Sequence, residues 1–410
     1  MELMRPMGPM GPMGLIGPMG LIGLISLLAA CSAEGPDLQE QERRAVGFGT
    51  YTEQFSTRGE QGHTRAEVKG AIADGEGIGV YAYYHDGSTW EDDWSDTPAE
   101  NKTTPNFMWN QQCTYSNDIG AFTYAPLKYW PNEESDKLSF MAYYPYTDPA
   151  IVEADPAHPV NPASTASTGL TPLLTNSGKG LPSFTFTVKD DIGDQVDLLV
   201  SDLIADLPQS RDTEGDPGTP FHDLSIYDKV KFLFHHALAK VEFRIVADEE
   251  IRRDLVNFRL NSLSITNIYK SGTLTPAYAA GNTTLVWSDP NTPQEYAFTT
   301  YKAQLLLPQT IDNSARLNVD YTMTFKSDGT TYHYVGTVPV ADTEYTYSNV
   351  ASLQLNEMKV VGTGDPLTTW LPNHHYIYKI RLRANRIDFT GEVVDWGDEI
   401  EMIIDQFETQ

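Results

Sequence analysis

Two histidine pairs, His235-His236 and His374-His375, an acidic run holding Asp212, Glu214 and Asp216, and a Gly178-Lys179 dipeptide are the residues whose types invite chemistry. Adjacent imidazoles suggest metal chelation. Neighbours on a strand face opposite sides, however, so neither pair closes easily on one ion, and structural histidines are the expectation. The acidic run has carboxylates for Ca²⁺ but lacks the glycine and terminal glutamate of a calcium loop, and it reads as a solvated linker. Gly178-Lys179 has neither the upstream glycine nor the following Ser/Thr of a phosphate-cradling loop. No G-x-S-x-G or H-E-x-x-H stretch occurs, and among 56 acidic residues nothing singles out a catalytic pair. The expectation is a protein without a catalytic, cofactor or metal site. Tyr124, Tyr129 and Trp130 crowd one segment; they read as a platform for sugar rings or as core and turn aromatics that close a sandwich, the second being expected.

Cys31 has a chemistry of its own. It ends an apolar leader, residues 1–30, as Leu28-Ala29-Ala30-Cys31, and the chain turns abruptly polar at SAEGPDLQEQERR. The stretch resembles the lipobox of bacterial lipoproteins: small residues admit the chain to a peptidase, and the freed cysteine accepts diacylglycerol. A membrane-spanning helix is the alternative, but Pro9, Pro12, Pro18 and repeated glycines make a poor spanning segment. Glycine falls at every third position from Gly8 to Gly23, as in collagen, yet six triplets inside an apolar leader are too few for a triple helix. With Cys31 acylated, Cys113 has no internal partner and reads as a small buried strand residue.

The elements that must position these residues are strands. In 410 residues, with 31 glycines, 26 prolines and 22 tyrosines, short strands and turns are favoured over long helices, and two domains are the natural size. The stretch VKFLFHHALAKVEFRI (Val230–Ile245) alternates from Ala239, with Val241, Phe243 and Ile245 apolar against Lys240, Glu242 and Arg244. A turn-rich acidic linker precedes it, so it is taken to open a second domain. Ile78, Val80, Ala82 and Tyr84 share one face of an earlier strand, and Leu317 to Phe325 alternate most clearly of all. Further strands are expected at Ala45–Phe55, Asn106–Tyr115, Lys137–Tyr146, Ser183–Asp190, Gln195–Asp202, Asn261–Tyr269, Lys302–Thr310, Tyr332–Val340 and His374–Arg383. A net charge of -28 argues against nucleic-acid and anionic-membrane partners and suits a surface protein.

Several segments in order resemble the fimbrillin family, the subunits of type V, strand-exchange pili. They are NFMWNQQCTY, YAPLKYWPN, KLSFMAYYPY, VDLLVSD, HALAKVEF, LLLPQT and NHHYIYKIRL with a closing VVDW. The resemblance implies an all-β chain of two tandem transthyretin-like antiparallel sandwiches behind a lipoprotein signal peptide. Its parts are then 1–30 signal peptide, 31–65 mature segment with a detachable strand, 66–208 first sandwich, 209–221 linker, 222–397 second sandwich and 398–410 donor-strand candidate. It also implies an arginine-specific protease that opens an acceptor groove after export, other fimbrillin subunits as partners, and outer-membrane lipid held through Cys31. The place that the resemblance implies is the outer membrane and the surface fimbria, with a host or bacterial surface ligand among the expected partners.

Arg58 and Arg65 lie in a polar stretch between the first two strands and are the expected cutting sites. In the tail, Ile400, Met402 and Ile404 share one face, opposite Glu401 and Asp405, with Ile403 as the misfit. The tail reads as a donor strand for a neighbouring subunit or as the last native strand of its own domain. A monomeric surface lipoprotein binding glycans through exposed aromatics is the alternative function.

Overall fold

In the computed structural model the described residues run from 45 to 395. Residues 53–71, 96–99, 132, 134, 148–149, 152–168, 175–179, 209–228, 248–254, 280, 289–292, 299–302, 328–339 and 383–386 fall outside the description. The first half supplies β1 (Gly47–Thr52), β2 (Gly77–His85), β3 (Met108–Ser116), β4 (Ala121–Thr123), β5 (Lys137–Tyr144), β6 (Ala150–Ile151), β7 (Leu170–Leu174), β8 (Ser183–Thr187), β9 (Leu199–Ser201) and β10 (Ile204–Pro208). One short helix, α1 (Trp90–Asp93), interrupts them. The second half supplies β11 (Lys229–His236), β12 (Ala239–Ala247), β13 (Leu255–Ile268), β14 (Ser271–Ala279), β15 (Asn282–Ser288), β16 (Gln294–Phe298), β17 (Gln304–Leu306), β18 (Gln309–Thr310), β19 (Arg316–Lys326), β20 (Glu344–Gln354), β21 (Thr369–Trp370), β22 (His374–Leu382) and β23 (Ile387–Asp395). The described chain is nearly all β.

The largest sheet has the order β1-β11-β9-β5-β2-β3-β4, with β10 added on β5. Its two ends, β1 and β4, lie against each other, so the sheet curls almost into a barrel. Alternation decides what fills it. Val46, Phe48, Ile78, Val80, Phe140 and Phe232 point inward to one apolar cluster, whereas Tyr81, Tyr83, Met141 and Tyr143 point outward to another. Strand β5 is therefore buried on both faces and shows no polar alternation, because it sits between two cores.

The outer face of this sheet packs on a second sheet, β15-β14-β8-β7-β6, with Tyr143 and Phe184 rings 4.9 Å apart. Two four-stranded sheets, β17-β12-β22-β23 and β16-β13-β19-β20, form the remaining sandwich. Phe243 meets Phe298 edge-on at 4.8 Å between them. Strand β19 alternates along its whole length, its apolar side inward.

The linker 209–221 is outside the described residues, and strand pairing runs across that division. Strand β11 pairs with β1 and β9 in the first-half sheet, and only β12 enters the second sandwich. In return the β14–β15 hairpin of the second half extends the first-half strand β8. The segment Val230–Ile245 thus spans both sandwiches.

Candidate functional site

The barrel closes at a seam where its two end strands, β1 and β4, meet. Strand β1 sits at the end of the sheet order and pairs in parallel with β11, Gly47 opposite Lys229 through Thr52 opposite Phe234. An end strand shares a ladder on one side only. Phe48 is fully buried, stacked on Phe232 at 5.6 Å, edge-on to Phe140 at 5.8 Å and tilted on Tyr124 at 5.4 Å. Val46 is buried beside it. On the side away from β11, the Val46 N–H donates to the Lys128 carbonyl at 2.9 Å, and the Tyr124 hydroxyl donates to the Val46 carbonyl at 2.7 Å. Burial pushes the Tyr124 phenol up to about 12, so it stays a donor.

The residues singled out by sequence fare differently. Cys31, Arg58, Arg65, Ile400, Met402 and Ile404 lie outside the described residues, as do Asp212, Glu214, Asp216 and Gly178-Lys179. In chain order, Arg58 and Arg65 fall between the end of β1 and the start of β2. The tail follows β23, whose last residue, Asp395, pairs with His374. The aromatics near residue 130 do not make a platform. Trp130 is buried against Phe140 and Tyr124 against Phe48, while Tyr129 alone of the three is exposed. Cys113 is a buried free thiol in the barrel interior, its pKa pushed well up by burial.

Each described histidine finds a separate partner. His236 Nδ1 lies 2.8 Å from Asp197 and His235 Nε2 3.0 Å from Asp202, on opposite faces of β11. His375 lies 3.2 Å from Glu242, and His374 Nδ1 lies 2.7 Å from the Pro372 carbonyl. Burial drives the His375 imidazole below its ordinary value, so it is neutral at neutral pH. Burial works to raise the Glu242 carboxyl, yet His375 and Arg244 outweigh it and hold it at about 2. Among the described residues no cluster of metal-binding side chains occurs, and no helix is long and apolar enough to cross a membrane.

The sequence predicts a strand at Ala45–Phe55 but does not mark the residues that hold it. Phe140 and Phe232 looked like ordinary strand apolars, and Tyr124 offered only a crowded aromatic segment as a signal.

The fimbrillin-like family model matches residues 64–396. A curated relative, fimbrium subunit Fim1C of Phocaeicola vulgatus, is 29% identical over 216 residues, covering 52% of this chain; the chain spans 46% of that relative. Among solved structures, a fimbrial protein from Bacteroides vulgatus is similar over 86% of this chain and 99% of its own, with a TM-score of 0.53 at 19% identity. The tip fimbrial protein Mfa3 from Porphyromonas gingivalis aligns over 86% of this chain and 98% of its own, with a TM-score of 0.33 at 12% identity. With its family model covering most of its length, this chain belongs to the fimbrillin-like family.

Proposed function

We propose that the chain is a structural subunit of a surface fimbria, exported as a lipoprotein on Cys31 and assembled by proteolysis-triggered strand exchange. The observation that carries this reading is β1, an end strand whose buried side chains plug the seam of an apolar barrel. Releasing it exposes Val46 and Phe48, at a cost of about 1.5–3 kcal/mol each before ladder bonds are counted. While the chain is intact, the tether through residues 53–71 returns the strand at an effective concentration on the order of millimolar. A cut after Arg58 or Arg65 removes that tether, and dilution then favours departure.

In this reading the open seam, edged by β11 and lined by Phe140, Phe232 and Tyr124, receives the tail of the next subunit. Ile400, Met402 and Ile404 bring three apolar side chains, roughly 5–9 kcal/mol of burial. The contact joins unlike surfaces head to tail, so repetition gives a fibre rather than a closed ring. The division into sandwiches at 66–208 and 222–397 belongs to the same proposal, with β11 and the β14–β15 hairpin crossing it to join first-half sheets. The partners are other fimbrillin subunits, an arginine-specific protease and the lipid that anchors the precursor. Amino-terminal sequencing of the assembled form tests the reading: a start at Gly59 or Ala66 supports it, and a polymer that still begins at Cys31 contradicts it.

A further inference from the structure

The ladder between β1 and β11 begins at Gly47, opposite Lys229. One residue earlier, at Val46, the segment Tyr124–Trp130 meets the chain. It binds Val46 through both of its main-chain groups. The N–H donates to the Lys128 carbonyl at 2.9 Å, and the carbonyl accepts from the Tyr124 hydroxyl at 2.7 Å. Ala45 forms an antiparallel bridge to Tyr129 just before. The phenol is itself held in place, since the Lys128 N–H reaches its oxygen at 3.4 Å. None of these bonds involves a side chain of the strand. The strand's apolar side chain meets a different feature, the aromatic box of Phe140, Phe232 and the Tyr124 ring around Phe48.

We propose that the Tyr124–Lys128 segment is a main-chain clamp, which governs how readily the seam strand leaves and grips an incoming extended strand whatever its side chains. The second half of this inference rests on the strand-exchange reading above; the first does not. A clamp that reads only backbone suits a groove that must hold two strands of different sequence in turn, β1 first and a tail afterwards. Choice between strands is left to the aromatic box, one residue pair further along.

Tyr124→Phe in the full chain separates these roles, because it keeps the ring against Phe48 and removes only the hydroxyl. Amide exchange at Val46 and Phe48 should quicken about 3–10-fold, the loss of one hydrogen bond, with exchange in β2 and β5 unchanged. Ile119→Ala, which alters only an exposed side chain outside that segment, should leave Val46 unaffected. Unchanged exchange in Tyr124→Phe overturns the clamp, and so does an equal rise through β2 and β5, which would make the phenol a support of the whole barrel. A second arm uses the full chain nicked after Arg58 and two synthetic peptides, Ala45–Phe55 and Asp398–Gln410. The clamp requires Tyr124→Phe to shorten the residence of both peptides by a similar factor; shortening of one alone overturns its indifference to side chains. If neither peptide binds the nicked native protein, strand exchange at this seam fails, and the clamp on β1 is still decided by the amide-exchange arm.

Discussion

Phe48→Ala measures how separable β1 is from the barrel it closes. The side chain is fully buried and touches three rings, so truncation should cost about 3–5 kcal/mol. That loss is of the same size as the burial that holds the strand, about 3–6 kcal/mol for Val46 and Phe48 together. Strand β1 should therefore spend a large share of its time out of the seam, its open population raised about 100- to 4,000-fold. Strands β2 and β5 keep their mutual ladder and their core contacts, and they should stay protected. Hydrogen exchange followed by mass spectrometry on segments covering 45–52 and 77–85 reads the two regions apart. In a Cys31→Ser background, Cys113 gives an independent signal, because a thiol inside the barrel reacts with maleimide only when the seam opens. Equal acceleration in β2, or a barrel that unfolds as one unit under this change, would refute the view of β1 as a detachable stave.

Other outcomes follow from charge and packing. Because the folded Glu242 carboxyl sits at about 2 against an ordinary 4.5, its contribution is complete above about 4.5 and drains away as pH falls toward 2. Glu242→Gln should flatten the acid side of a melting-temperature profile, and an unchanged profile would show the Arg244–Glu242–His375 group to be inert. Gly79→Ala would set a methyl inside the Tyr143 ring and 2.5 Å from Asn110 Oδ1, so the urea midpoint should fall by the equivalent of about 3 kcal/mol. A midpoint equal to the native one would contradict the close approach of the Tyr143 ring to Gly79. Cys31→Ala should leave an unprocessed form without acyl label, and equal palmitate incorporation would overturn lipidation at that residue.

Local alternation made most single strands legible. Ile78, Val80 and Ala82 do face one core, Val241 and Phe243 another, and Leu317 to Phe325 alternate as read. What was not legible is non-local. Nothing in VKFLFHHALAKVEFRI says that its first half pairs with β1 and its second with β22, since each half satisfies the same period of two. The β14–β15 hairpin, Ser271–Ser288, alternates like any half-buried hairpin and gave no sign of the first-half strand it extends. Helix α1 escaped notice because four residues, capped by Thr89 and anchored by Trp90, are too few to establish a helical period. The strand expected at Tyr332–Val340 falls outside the described residues except for Val340, which is exposed. At the seam, the strand itself was legible from its alternation, within the Ala45–Phe55 stretch that holds β1. Its clamp was not, because Tyr124 and Lys128 act on β1 through a hydroxyl and a carbonyl rather than through a motif.

If the tail of one subunit takes the place of β1 in the next, deletion of Glu399–Gln410 must stop assembly without unfolding the chain. Strand β23 pairs with β22 along Ile387–Asp395 without any residue of the deleted segment, so on the donor-strand reading the truncated chain should fold, melt within a few degrees of the intact one, and remain a monomer after cutting at Arg58. The intact chain, cut in the same way, should give an SDS-resistant ladder of multimers. A truncated chain that still forms the ladder would place the donor elsewhere, and one that misfolds or loses most of its thermal stability would make the tail a native strand of its own sandwich.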